Sequence, residues 1–193
     1  MGIIPKDELA RKAFHMLILL YALSYKFISA PLTMWIIGAV VLYTIIQESV
    51  RLNNVKLNAR FLKYFGAFHR HEERRKVSGL TWTLSGAFLT MFLFPDRHIV
   101  FASFLFLAFG DSAAAIVGRS IGKRKLLGQK TLEGSLACFV VCFILGLLLF
   151  NWQFALIAAL IATIVEAIHW PLNDNFWLQI INALALTLLG RFI

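Results

Sequence analysis

Residues 134–150 read GSLACFVVCFILGLLLF, seventeen positions without one charged side chain. A membrane-crossing helix needs roughly 17–25 mostly apolar residues, so this stretch reads as a span. Similar runs recur on both sides of it. Working outward, spans are expected at 13–30, 31–50, 79–95, 98–118, 134–150, 154–172 and 176–192. The whole chain agrees: 193 residues, 60% hydrophobic and 15% charged, with a mean hydropathy of +0.76. Soluble domains run near 45–50% apolar and about 25% charged. Disorder is excluded by the same numbers. Cys138 and Cys142, four apart inside the quoted run, read as packing residues and not as a disulfide framework. The expectation is an all-α integral membrane protein of about seven transmembrane helices, a single domain over 1–193 with no evident cleavable signal peptide.

A net charge of +9 raises nucleic acid as a partner, but its placement argues against that. The basic residues cluster in the N-terminal tail (Lys6, Arg11, Lys12) and in the segments 51–78 and 119–133. These hold three, eight and five of them, sixteen of the nineteen. With seven spans all three segments share one face of the membrane. The bias of Lys and Arg toward the cytoplasm then puts the N-terminus inside and the C-terminus outside. Within 51–78, Leu57, Phe61, Tyr64, Phe65 and Phe68 fall at helical spacing, with Lys56, Arg60 and Lys63 on the other side. That pattern predicts an amphipathic helix lying in the interface, serving as a lipid anchor or as part of a site. Five tryptophans, lying mainly toward span ends, suit interfacial anchoring.

Acidic residues inside apolar spans are costly and mark function. Asp111 and Glu166 are the two here, each roughly 18–20 Å along an inward-running span at 1.5 Å per residue. An ionised Asp111 needs a partner, for which Mg²⁺, Lys123 and Lys130 are the candidates. Downstream come Gly118, Gly122 and Lys123, then Lys130-Thr131-Leu132-Glu133-Gly134-Ser135. Asp111 and Glu133 are hard oxygen ligands suited to Mg²⁺, which takes one or two carboxylates plus substrate phosphates. Lys123 and Lys130 offer point charges to a polyphosphate, and Gly134 and Ser135 open a span whose free N–H groups favour an anion. Gly118 and Gly122 let backbone approach a ligand, although the same spacing also serves close helix packing. A P-loop is rejected, because its four-residue spacer is absent and Arg124 stands where Ser or Thr would follow the lysine. His69 and His71 lack the cysteines or second histidine pair of a transition-metal site.

The segment 110–137 resembles the CTP-dependent polyprenol and lipid kinase family: dolichol kinase, phytol kinase and CTP-dependent diacylglycerol kinase, distant relatives of the phosphatidate cytidylyltransferases. The resemblance rests on Gly110-Asp111-x-x-Ala114, Gly118-x-x-x-Gly122-Lys123 and Lys130-Thr131-x-Glu133-Gly134-Ser135. Further pieces are Arg11-Lys12-x-x-His15, the stretch His71-Glu72-Glu73-Arg74-Arg75 leading to Gly79 and Gly86, and Glu166-Ala167 with Asn173-Asp174-Asn175. The chain lacks longer basic and His-Gly-Gly segments of the cytidylyltransferase arm, and it resembles a compact catalytic core.

The resemblance implies a multi-pass enzyme with CTP, Mg²⁺, a membrane lipid alcohol and the bilayer as partners, and no nucleic acid. CTP would phosphorylate that alcohol (polyprenol, phytol or diacylglycerol), giving the lipid monophosphate and CDP. The active site would face the cytoplasm, in a prokaryotic cell membrane or a eukaryotic endoplasmic reticulum. Asp111 and Glu133 would carry the metal; Gly118, Gly122, Lys123, Lys130, Thr131, Gly134, Ser135 and Asn175 would hold the nucleotide. Glu166, Asp174 and His15 are the candidates to accept the hydroxyl proton. Cytidylyl transfer to a lipid phosphate is the alternative chemistry, and a small transporter is a further alternative, though neither a repeat nor a midplane site is visible.

Overall fold

The computed structural model describes residues 12, 15–66, 71–126, 128 and 130–191. Arg11, Phe68 and His69 lie outside the described residues. Among those described the chain is helical, without a strand. Each of the seven expected segments forms a helix. α1 (Ile18–Leu23) continues into one π-helical turn, Ser24–Ile28. α2 (Ala30–Asn53) starts where Ser29 caps the amide of Leu32, with Pro31 in the first turn, where its missing donor costs nothing. α3 is Val55–Phe65 and α4 Gly79–Leu93. α5 (Arg97–Leu105) passes through a π-helical segment, Phe106–Asp111, into α6 (Ser112–Ile121). α7 (Leu132–Leu149), α8 (Trp152–Ala167) and α9 (Asp174–Leu189) complete the chain.

Three helices are long and apolar enough to cross a membrane: Ala30–Asn53, the continuous Arg97–Ile121, and Leu132–Leu149. The other four are shorter. Arg97–Ile121 is the hub, because Val100, Ala102, Phe104, Leu107 and Ala108 are fully enclosed by α1, α7 and α9. α2 has the opposite character. Leu32, Trp35, Ile36, Leu42, Tyr43, Ile45 and Ile46 are all exposed. A broad apolar exterior of this kind fits a hydrocarbon solvent better than water. Cys138 and Cys142 are free and buried, and a Cβ on Gly110 would come within 2.6 Å of the Cys142 sulfur. Both cysteines therefore pack, as expected.

The 51–78 segment departs in one respect from its reading as a basic loop. Arg51 belongs to α2 and is 2% exposed. Its guanidinium donates to Glu48 at 2.6 Å, to the carbonyls of Lys76 (2.7 Å) and Glu73 (3.2 Å), and to Asn58 (3.0 Å). It also lies over the Phe61 ring at 5.4 Å. One side chain thus ties α2, α3 and the approach to α4 together. α3 forms as the hydrophobic stripe predicts, capped by Asn54. Leu57, Tyr64 and Phe65 remain exposed, and no residue of α3 is buried.

Candidate active site

One large cavity, about 1460 Å³, opens between α1 and α2 and among the starts of α4, α7 and α9 and the ends of α6 and α8. It exceeds the roughly 300–1,000 Å³ usual for a single small ligand. Asp111 forms its floor at the end of the π-helical segment, a distortion often found at functional sites. The carboxylate is 8% exposed and is ion-paired with Lys12, itself 9% exposed; His15 Nε2 lies 3.7 Å from the same oxygen. Of the expected partners, Lys130 shares the cavity but makes its direct ion pair with Glu166. Lys123 is exposed and is not part of the cavity lining. Lys12 fills the role, from a point 99 residues earlier in the chain.

A second pair faces the first. Glu166, 3% exposed on the last turn of α8, is ion-paired with Lys130, whose ammonium also lies 3.8 Å from Asp174. Lys130 sits on the loop between α6 and α7. Burial works to lower its pKa, but Glu166, Asp111 and Asp174 outweigh that and hold it above the ordinary lysine value. It is a fixed cation at neutral pH. Asp174 begins α9 and accepts from the amide of Trp170 at 3.3 Å. Asn175 donates to Thr83 at 3.2 Å, and Gln179 donates to the Thr83 carbonyl at 2.7 Å, so α4 and α9 fix the far wall.

The Lys-Thr-x-Glu-Gly-Ser stretch builds the remaining wall. Thr131 caps α7 through the amide of Gly134 at 3.2 Å. A Cβ on Gly118 would stand 2.8 Å from the Thr131 hydroxyl, and one on Gly134 would stand 2.7 Å from the Ala114 carbonyl. These glycines let α6 and α7 touch, which brings Gly118, Thr131, Gly134 and Ser135 to the cavity. Gly122 meets Thr131 and its own helix end, outside the lining. Glu133 also lies outside it, and its carboxylate accepts from the amides of Lys123 at 3.1 Å and Arg124 at 3.3 Å. It therefore shapes the loop. Of the sequence-derived candidates, the cavity collects Asp111, Glu166, Asp174, His15, Gly118, Lys130, Thr131, Gly134, Ser135 and Asn175. It does not collect Gly122, Lys123 or Glu133. It adds Lys12, Arg119, Glu73 and His169. Of these, Lys12 carried a signal within its basic-pair-and-histidine motif and Glu73 within the His71–Arg75 stretch.

At the charged end of the cavity Ser135 Oγ and Glu166 Oε2 are buried without a partner among the described residues, as are Tyr21 Oη and Gln47 Nε2 on its α1 and α2 sides. No group of three or more His, Cys, Asp and Glu among the described residues is arranged to hold a metal by itself. The donor set of Asp111, Glu166 and Asp174 is all oxygen, which suits Mg²⁺ arriving with a polyphosphate that completes its coordination. The cations and the α7 N-terminus suit the polyphosphate itself.

No family profile matches the chain, and no solved structure matches it. Among known proteins it is 30% identical to protein RP860 of Rickettsia prowazekii, over 94% of both chains. It is 32% identical to the CTP-dependent diacylglycerol kinase 1 of Saccharomyces cerevisiae, over 72% of this chain and 49% of that one. It thus spans about half the length of this yeast relative. The CTP-dependent diacylglycerol kinase 1 of Schizosaccharomyces pombe is 28% identical over 95% of this chain and 94% of its own.

Proposed function

We propose that this chain, which belongs to one family with protein RP860 of Rickettsia prowazekii, is a membrane-embedded kinase that transfers the γ-phosphoryl group of CTP to a lipid alcohol. The observation that carries the reading is the cavity itself. Two carboxylate–lysine pairs and a helix N-terminus line one end of it, and exposed apolar side chains of α1 and α2 line the other. Similarity to two proteins named CTP-dependent diacylglycerol kinase supports CTP as donor and makes diacylglycerol the first alcohol to test.

Phosphoryl transfer asks mainly for positioning and charge neutralisation. Lys130, the Gly134 amide and Ser135 Oγ hold the phosphates. Asp111, ion-paired with Lys12 and beside His15, faces the triphosphate. Mg²⁺, held by Asp111 and the phosphates, would neutralise charge on the transferring group. Glu166 takes the hydroxyl proton through its unpartnered Oε2. The lipid oxygen forms the new bond to the γ-phosphorus, the bond from that phosphorus to the β–γ bridging oxygen breaks, and CDP leaves. Glu133 and Lys123 act at one remove, by holding the loop that carries Lys130. The reading includes seven spans, a cytoplasmic N-terminus and a site facing the cytoplasm. Its support is that the starts of α4 and α7 and the end of α6, which border basic segments, line the charged end of the cavity.

The test uses purified protein in mixed micelles with γ-labelled CTP, Mg²⁺ and a panel of diacylglycerol, phytol and a polyprenol. Labelled lipid phosphate with stoichiometric CDP is expected, with CTP preferred over ATP. Release of pyrophosphate on a lipid phosphate would replace this reading with cytidylyl transfer. ATP used as well as CTP would remove the donor assignment.

A further inference from the structure

The apolar end of the cavity has a shape that the phosphoryl-transfer chemistry does not require. α1 and α2 are consecutive and antiparallel, yet they pack on different neighbours, α1 on α5 and α2 on α4. They meet mainly at the Ser24–Ile28 turn, where the Ser24 and Thr33 hydroxyls are 2.7 Å apart. From that hinge toward Asp111 they part, and the cavity fills the gap. Tyr21 and Ile37 form its buried back wall. Leu20, Ile36, Val40 and Tyr43 stand at its mouth, all exposed. From Thr44 to Thr33 the gap follows eleven residues of α2, roughly 16 Å. That is about half of a roughly 30 Å hydrocarbon core, the depth of one leaflet.

We infer that this wedge between α1 and α2 is the slot through which the lipid alcohol enters sideways from one leaflet and in which its hydrocarbon chain rests. The inference rests on the lipid-kinase reading for the identity of the occupant. Three features select a hydrocarbon chain. The mouth is apolar and lies on the helices with the most lipid-like exteriors. The slot is continuous with the phosphate end, so a molecule lying in it presents its head to Glu166 and Asp111. A polar closure at Ser24 and Thr33, near the start of α2, ends it after roughly 16 Å, about the length of one leaflet's hydrocarbon. A nucleotide would find no charge partner along this arm.

Bulk at the mouth tests the slot. Ile36→Trp and Val40→Trp narrow it from exposed positions that leave the core untouched, and Ile45→Trp adds the same bulk to α2 outside the cavity. In vesicles, a diacylglycerol bearing a diazirine on its acyl chain should crosslink wild type and Ile45→Trp on α1 and α2. Crosslinking should fall at least fivefold in Ile36→Trp and Val40→Trp. In the kinase assay the same two variants should raise KM for dioleoylglycerol tenfold or more and leave KM for CTP within twofold. The inference is overturned if crosslinking on α1 and α2 is absent or equal in all four proteins, or if the tryptophans raise KM for CTP instead. Crosslinking does not depend on catalysis. Wild-type protein that crosslinks in the slot but makes no lipid phosphate would leave the slot standing and remove the kinase reading.

Discussion

Asp111 has its charge compensated before any ligand arrives, and this changes what its removal should do. Sequence alone suggests an isolated carboxylate in a helix, whose neutralisation to Asn would if anything stabilise the empty protein. With Lys12 buried against it, Asp111→Asn leaves an uncompensated buried cation, and breaking one side of such a pair costs about 3–5 kcal/mol. Thermal unfolding in detergent should therefore show Asp111→Asn less stable than wild type, and Lys12→Met/Asp111→Asn largely restored. Turnover should stay down by roughly 10²-fold or more in both, as for loss of one well-placed electrostatic group. Recovery of turnover along with stability in the double variant would make Asp111 a structural residue. The carboxylates were legible because a charge inside an apolar run stands out. Their partners were not, because pairing across 99 residues is a property of tertiary packing that local spacing does not carry.

At the scale of the element, small residues do the work. α6 and α7 approach closely only because Gly118 and Gly134 have no side chain, and the same contact seats the Thr131 cap. Gly134→Ala places a methyl 2.7 Å from the Ala114 carbonyl, backbone that has nowhere to go. The helices must separate, at the 1–3 kcal/mol typical of overpacking. A rise in KM for the nucleotide, larger than any for the lipid, is expected in steady-state kinetics. Equal rises would detach this wall from phosphate binding. Arg51 makes the complementary case. Arg51→Met leaves Glu48 buried and releases the Glu73–Lys76 segment. Limited proteolysis should cut at 66–78 in that variant well before any other site, and an unchanged digestion pattern would show that other contacts hold the segment. The glycines and the amphipathic stripe of α3 could be read from spacing. The burial of Arg51 could not, since a basic residue at a span end looks the same whether it faces headgroups or a carbonyl cage.

Across the whole molecule, the placement of charge and the placement of the cavity are independent observations that meet. Positive residues gather in segments that precede α1, join α2 to α4 and join α6 to α7. The charged end of the cavity is lined from the starts of α4 and α7 and the end of α6, which those segments adjoin, and from the α8–α9 junction. A soluble anionic nucleotide reaches only a site facing the compartment that holds it, and a basic rim raises its local concentration there. On the proposed function, the lateral slot would draw the second substrate from the bilayer, and the two reactants would meet at Asp111 from different directions. This arrangement requires Lys76, before α4, and Arg97, at the start of α5, to lie on opposite faces, with α4 crossing between them despite its fifteen residues. Single cysteines at these two positions decide it, and Cys138 and Cys142 are buried enough to give little background. In sealed right-side-out vesicles an impermeant maleimide should label position 97 and leave position 76 protected until the membrane is opened. Equal labelling of both would place α4 on one face, break the alternation of spans, and put the basic segments and the cavity on a different topology from the one that brings CTP to Asp111.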